Sequence, residues 1–542
     1  MRKRVILRRR GARWRKTLAM AVALLVALGA MDSFAGTEPA AAPEASSSPH
    51  FDVSEIRVIG NSTLAPIDIE RVIYPFVGPN KTITDLNAAR VALEKAYHDK
   101  GYGTVFVDLP EQQLVDGLVR LKVTEGRLAS VQVTGARYFS NRMILAAIPE
   151  ARTGVVPNLP RLQEQIAAVD AQSAERAVVP VLKAGDQPGT VALALKVQDH
   201  LPLHASVELN NQQTEGTRAL RSAFSLSYDN LFGRYDQIAF QYQTAPQQPD
   251  QVGVFATNMA VHLWDGGPAL SMYYIDSKTN VLSAGTLGVL GKGSIYGLRL
   301  PTVFANTADF SSTLTWGLDY KHFLQSIQVD PQTGLNTPNS YLLMSVDYAA
   351  GWRDERWQAT LDTSANFGSR QLVDDTEHFA LARYQGRANF FYVRGAAAMT
   401  YHLPAGFNLT GRVSGQGAVE PLLSNEYFSI AGADGVRGYL ESEEFGDNAL
   451  KGTFQLASPQ WHPGGRPLSG DMFVFFDDGR VTFLDSLPGQ PTHADLRSVG
   501  AGIDFLASQH FTSSLTWAYP LVSGAMTRAG DSRVLFVVRG SL

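Results

Sequence analysis

The chain has 542 residues, 45% of them hydrophobic and 18% charged, with 27 Phe, 19 Tyr, 7 Trp and no Cys. The lack of Cys excludes disulfide scaffolds, thiolate-held metal centres and cysteine nucleophiles, and a formal charge of −4 argues against a basic nucleic-acid-binding face. At about 150 residues per domain, the length corresponds to three or four domains, or fewer if one is a large β-barrel.

Charge is unevenly placed. Residues 1–16 hold nine basic side chains and no acid, residues 17–31 are apolar, and Ser33-Phe34-Ala35 forms a small-x-small site before Gly36. This order predicts a secretory signal peptide over 1–35. Arg8-Arg9-Arg10 is followed by Gly11-Ala12 rather than an apolar pair, which favours the general secretory route. Cleavage after Ala35 leaves 38 bases against 50 acids, a net charge of −12. Residues 36–50, GTEPAAAPEASSSPH, read as a Pro/Ala/Ser linker.

A repeated unit follows, with domain boundaries expected at 51–126 and 127–200. Val53-Ser-Glu-Ile-Arg-Val-Ile-Gly60 alternates and ends in Gly; Leu128-Ala-Ser-Val-Gln-Val-Thr-Gly135 does the same. In the first copy, 84–102 spaces Leu86, Ala89, Leu93 and Tyr97 as one helical face, with Thr84 expected as the cap and Gly101 as the stop. Strands are predicted at 103–108 and 117–124, and their counterparts at 176–182 and 190–197. Each copy thus reads strand, helix, helix, strand, strand, which leaves sheet edges able to accept an extended peptide.

From 201 to 542 short segments alternate strictly. Ile238, Phe240 and Tyr242 oppose Gln237, Ala239, Gln241 and Gln243; Leu314, Trp316, Leu318 and Tyr320 oppose a polar face; Asn408, Thr410, Arg412, Ser414 and Gln416 make a fully polar side. Polar faces rich in Gln, Asn, Ser and Thr fit a water-filled lumen. About sixteen such segments begin near residues 203, 220, 237, 252, 269, 291, 310, 341, 357, 389, 408, 450, 471, 496, 511 and 532. Each is near the ~10 residues that a tilted strand needs to cross lipid, and after residue 35 no apolar run reaches the ~20 that a helix needs. Lipid offers no hydrogen bonds, so spanning strands must close into a ring. A ring of that size leaves a pore that something must fill. The segment 417–449, which resists strand assignment, is the expected occupant.

That segment contains Val436-Arg437-Gly438-Tyr439, and Phe475-Phe476-Asp477-Asp478-Gly479 follows. The pair resembles the VRGY and FxDxG motifs of the polypeptide-translocating outer-membrane barrel superfamily. With the two preceding repeats, Pro110-Glu-Gln-Gln and 117–126, the mature chain resembles the TpsB family, the ShlB/FhaC/HecB-like transporters of two-partner secretion. The resemblance implies a mainly β protein: a 16-stranded transmembrane β-barrel over 201–542, preceded by two small α+β POTRA domains in the periplasm. It also implies that the loop carrying Val436, Arg437, Gly438 and Tyr439 folds into the pore, where Arg437 pairs with Asp477 on the wall bearing Phe475 and Gly479. The two glycines would permit close backbone approach. The implied partners are an unfolded TpsA-like exoprotein, outer-membrane lipid and the barrel assembly machinery, in the outer membrane of a Gram-negative bacterium. Two local departures stand out: Ala431-Gly432 replaces the usual Gly-Gly before VRGY, and the final residue is Leu542 rather than an aromatic. Residues 36–50 are too short and Pro-rich for the plug helix that many members carry.

No HExxH, GxSxG or spaced His cluster is present, and Gly285–Gly293 has the wrong spacing for a phosphate loop. No enzyme activity, metal or cofactor is expected, nor a nucleic-acid partner. Two alternatives remain open at this point: an assembly factor that inserts other barrels, and a passive diffusion porin.

Overall fold

The computed structural model describes residues 49–264, 267–278, 282–284, 287–289, 291–330, 333–369, 379–380, 382–463, 468–486, 491–508 and 510–542. The predicted signal peptide and nearly all of the linker lie outside the described residues.

The first α+β unit sets helices Pro66–Ile73 and Ile83–Asp99 against a three-stranded sheet, Glu55–Ile59, Leu118–Glu125 and Val105–Asp108, with Leu118–Glu125 central. The predicted helical face is the one buried: Leu86, Ala89, Leu93 and Tyr97 pack on Val105, Val107, Val119 and Leu121. Truncating a fully buried leucine such as Leu93 costs ~2–5 kcal/mol. The cap differs from expectation. Thr82, not Thr84, begins the helix: its hydroxyl accepts from Asp85 N and the Asp85 carboxylate accepts from Thr82 N. A reciprocal T-x-x-D box satisfies two orphan donors, which Thr84 could not do from inside the first turn. Gly101 does end the helix, at φ +93°. Outside the predicted pattern, Phe51–Val53 pairs with Gly78–Lys81 as a separate two-stranded sheet.

The second unit repeats the plan, with Arg127–Thr134, Thr190–Asp199 and Arg176–Ala184 in that spatial order and helices Asn141–Ala146 and Leu159–Asp170. Two polar joints fix it to the first. Asn158, which caps Leu159–Asp170, donates to Lys100 O at 2.8 Å. The Glu125 carboxylate receives Ser62 N at 2.7 Å, Thr63 Oγ1 at 2.7 Å and Arg127 Nη2 at 2.9 Å. The second unit is fixed in turn to the barrel through the first turn on that side, residues 232–235. Asn230 Nδ2 donates to Tyr138 O at 2.8 Å, and the buried Arg176 guanidinium lies 5.1 Å from the ring centroids of both Phe139 and Tyr235.

The remaining chain closes a sixteen-stranded antiparallel barrel. Its strands are Leu203–Asn210, Arg221–Leu231, Asp236–Thr244, Gly253–His262, Ala269–Ser277, Lys292–Asn306, Phe310–Asp330, Thr333–Arg353, Trp357–Ser369, Phe391–His402, Asn408–Ala418, Asn448–Ala457, Ser469–Thr482, His493–Ser508, Phe511–Pro520 and Arg533–Ser541. Alternation sets their faces: Phe240, Tyr242, Trp316 and Tyr320 point outward and exposed, while Gln243, Asp319 and Gln416 are buried inward. Fifteen strands start within three residues of expectation; Thr333–Arg353 starts eight residues early. Its first part, Gly334-Leu-Asn-Thr-Pro338, carries turn-like residues, yet it pairs with 324–328 and lengthens the hairpin beyond a membrane-length strand.

The ring closes where Leu203–Asn210 meets Arg533–Ser541 over five register pairs, Val537↔Asn210 to Ser541↔Ser206. Beyond this short ladder, the Asn211 side chain continues the pairing: Nδ2 donates to Val534 O at 2.7 Å and Oδ1 accepts from Phe536 N at 2.9 Å. No described helix is long and apolar enough to cross a membrane.

Candidate functional site: the loop inside the barrel

The segment joining Asn408–Ala418 to Asn448–Ala457 leaves the barrel end away from the α+β units and turns back into the lumen. It is not wholly without strand, since Phe428–Ser429 pairs with Phe445–Gly446 over two register pairs. Its tip is a tight turn in which Val436 N donates to Ile430 O at 2.7 Å and Gly435 N to Gly432 O at 3.1 Å. Ile430, Val436 and Tyr439 pack with the wall residues Val481 and Leu496 in a dry cluster.

Phe475, Asp477 and Gly479 lie at i, i+2 and i+4 of one strand, so all three face the lumen. Asp477, with no exposed surface, accepts Arg437 Nε at 2.8 Å and Nη2 at 2.9 Å, a bidentate fork, and Arg437 N at 3.1 Å. Arg437 Nη1 donates to Gln455 Oε1 at 3.1 Å, and the guanidinium lies 3.4 Å from the Phe475 ring centroid. Fork geometry, an aromatic platform and exclusion of water make this a strong, directional contact that a lysine could not reproduce.

The glycines allow the approach. A Cβ on Gly479 would come within 3.0 Å of Val436 Cγ2, and Gly438 has φ +99°, which side-chain-bearing residues rarely adopt. Tyr439, buried, sets its hydroxyl 2.6 Å from Val522 O and 2.9 Å from Arg497 O. The descending limb is held by Glu443, which accepts Met526 N at 2.8 Å, Thr527 N at 2.7 Å and Thr527 Oγ1 at 2.6 Å from the last loop at that end.

A second contact set was not expected. Glu426, fully buried at the near end of the loop, receives Lys321 Nζ and Tyr392 Oη at 2.6 Å each and also the Tyr341 hydroxyl. Its backbone carbonyl accepts Arg394 Nη2 and Gln416 Nε2 at 3.0 Å each. At the loop neck, buried Asp447 accepts Leu422 N at 2.7 Å, Leu484 N at 2.8 Å and Arg383 Nη2 at 3.2 Å. The only signal for Glu426 in the sequence is a lone acid among the otherwise uncharged residues 421–430.

Residues 189–505, more than half of the chain, match the family model described as haemolysin secretion/activation protein ShlB/FhaC/HecB. The chain belongs to the ShlB/FhaC/HecB family. It is thus a TpsB-type outer-membrane transporter of two-partner secretion. Residues 51–126 match the POTRA domain, ShlB-type, the periplasmic module of this family. Among relatives, the chain is 23% identical over 507 residues to the outer membrane transporter CdiB of Dickeya dadantii, covering 89% of this chain and 85% of the relative. It is 21% identical over 431 residues to the hemolysin transporter protein ShlB of Serratia marcescens, covering 76% and 72%. The solved structure of CdiB from Escherichia coli superposes with a TM-score of 0.57 at 20% identity, covering 93% of each chain, a likeness of fold. The family consists of secretion channels that work with TpsA exoproteins.

Proposed function

We propose that this ShlB/FhaC/HecB-family member takes an unfolded TpsA-like exoprotein from the periplasm with its two α+β units, both acting as POTRA domains, and passes it through its own barrel. In this reading the 417–449 loop is a retractable plug and Arg437 with Asp477 is its lock. The observation that carries it is the bidentate contact between a loop cation and a wall anion without exposed surface. A diffusion pore has no use for two units fixed end to end at its mouth through Glu125, Asn158 and Arg176. The periplasm offers no ATP, so folding of the exoprotein outside the cell supplies the driving force. The protein meets lipid through its apolar outer face and reaches the membrane through the barrel assembly machinery.

Deleting 51–200 tests the proposal. Export of one specific protein should stop while the barrel still assembles. Unchanged export would point to a pore that needs no capture, and depletion of many outer-membrane barrels would point to an insertase.

A further inference from the structure

On the outer face of the barrel, at the end away from the α+β units, not every charge is matched. Tyr274 pairs in register with Tyr296, and Tyr296 with Tyr320, across the strands Ala269–Ser277, Lys292–Asn306 and Phe310–Asp330. The three rings form a row with centroids 4.8 and 6.4 Å apart, and Tyr296 and Tyr320 are 52% and 41% exposed on the outward side. Tyrosines in such a row mark the level at which acyl chains give way to headgroups.

Side chains repeat every second residue along a strand, so Lys278, four residues after Tyr274, and Lys292, four residues before Tyr296, share the outward face of that row. At the tilt of such strands they stand ~10 Å higher, among the headgroups. They lie one step past the register pair Ser277↔Gly293, and so opposite each other across the two strands. Lys278 still follows the sheet, its N donating to Gly253 O at 2.9 Å, and its stem lies over Gly253, where a Cβ would come 3.7 Å from Lys278 Cδ. Both lysines are exposed.

Like charges set opposite each other on neighbouring strands repel. Among the described residues, neither lysine has an ion pair or a side-chain hydrogen bond. Asp276 shares their face but pairs with neither, so the patch keeps a net positive charge. Elsewhere on the outward rim the protein answers its own cations: Arg480 meets Asp495 at 3.5 Å and Arg497 meets Asp478 at 2.7 Å. Two unanswered cations beyond an aromatic row fit an anion that the membrane supplies.

We propose that Lys278 and Lys292 form a binding site for a phosphate of the outer-leaflet glycolipid, the acylated and phosphorylated glucosamine disaccharide lipid A. The two ammonium groups hold one phosphate between them through charge-assisted hydrogen bonds, their flexible stems adjusting to its height. A phosphomonoester carries close to two negative charges, which two lysines match, whereas a phospholipid diester carries one. The sugar then lies against the tyrosine row, and the acyl chains follow the outward-facing Met272 and Leu298 below it. The bound lipid braces the two strands where their own side chains repel.

Retention of lipid A by the purified full chain in detergent micelles, read by native mass spectrometry, tests this. The unaltered chain should hold bis-phosphorylated lipid A in preference to its dephosphorylated form and to phosphatidylglycerol. Lys278→Gln with Lys292→Gln should weaken that binding about tenfold or more, the scale of two lysine–phosphate contacts, and Lys278→Arg with Lys292→Arg should keep it. Arg480→Gln with Arg497→Gln removes the same charge from paired cations and should leave binding unchanged. Equal losses in the two glutamine variants would show attraction to the rim at large and overturn the site. Phosphatidylglycerol held as tightly as lipid A overturns the glycolipid assignment. Heat-modifiable gel mobility reports whether each variant is a folded barrel. If the lysine variant does not fold, the unaltered chain decides, since equal retention of phosphorylated and dephosphorylated lipid A overturns the proposal.

Discussion

Glu426 and Lys321 meet at 2.6 Å inside the barrel, the loop supplying the anion and the wall the cation, which reverses the polarity of Arg437 and Asp477 eleven residues further along the loop. The two wall partners sit on strands six places apart in the ring, Phe310–Asp330 and Ser469–Thr482. The loop is thus pinned at two points with charges of opposite sign.

Removing one member of a buried pair leaves the other uncompensated, at a cost of ~3–5 kcal/mol. Lys321→Met should therefore release the near end of the loop while Arg437 still holds its tip. The expected outcome in planar bilayers is a larger or more frequent open conductance than for the unaltered chain. An identical conductance would show that Glu426 is held by Tyr341, Tyr392 and its backbone contacts alone.

Arg437→Ala should lower export by about tenfold or more, since loss of the fork exceeds the ~1.4 kcal/mol that a tenfold change requires. The barrel itself should still assemble, because Arg437 belongs to no barrel strand. Arg437→Lys should be intermediate, keeping the charge and losing the fork. Export assays paired with heat-modifiable gel mobility separate transport from assembly, and a parallel loss of both would assign Arg437 to barrel folding.

The joint between the α+β units should loosen in acid. Burial pushes the Glu125 carboxyl up, but hydrogen bonds from Ser62 and Thr63 and the charge of Arg127 outweigh it and hold the group below the ordinary carboxylate value. A depressed folded-state value contributes stability that is present above the unfolded value and is lost as pH falls through the folded one. Hydrogen exchange at Ser62 and Thr63 should accelerate only below about pH 4, near the ordinary glutamate value. Glu125→Gln should show the fast rate at pH 7 and little further change in acid.

Asn211→Ala deletes both bonds that extend the closing ladder, leaving Val534 O and Phe536 N without those partners. At ~0.5–1.5 kcal/mol for each bond, the barrel should unfold at a lower temperature on heated gels. Asn210→Ala is the comparison, since the Asn210 side chain bonds Glu208 and Gln212 on its own side of the seam. Equal effects would show that Asn211 contributes nothing particular to closure.

The barrel was legible in the sequence because lipid enforces a period of two along every crossing strand, so Ile238, Phe240 and Tyr242 announce their face without knowledge of any neighbour. The helix Ile83–Asp99 was legible for the same reason at a different period, although Thr82 was hidden by a second threonine two residues on. Glu426 was not legible. Its partners Lys321, Tyr341 and Tyr392 lie 34 to 105 residues away in the chain and meet only once the ring has closed, and a single acid in an otherwise uncharged stretch carries no period. The tall hairpin was missed because beyond the membrane the alternation has no apolar phase to obey, and Pro338 reads locally as a break.

Several lumen-facing charges are engaged within the barrel. Arg299 forks onto Asp319 through Nη1 at 2.5 Å and Nη2 at 2.9 Å, and Arg394 is occupied by Gln416 and the Glu426 carbonyl. On the proposed transport reading, charges engaged in this way offer little to a passing chain. On the same reading, cargo identity is read before the pore is entered, and exchanging residues 51–200 between two relatives should exchange their cargo while the barrels stay in place.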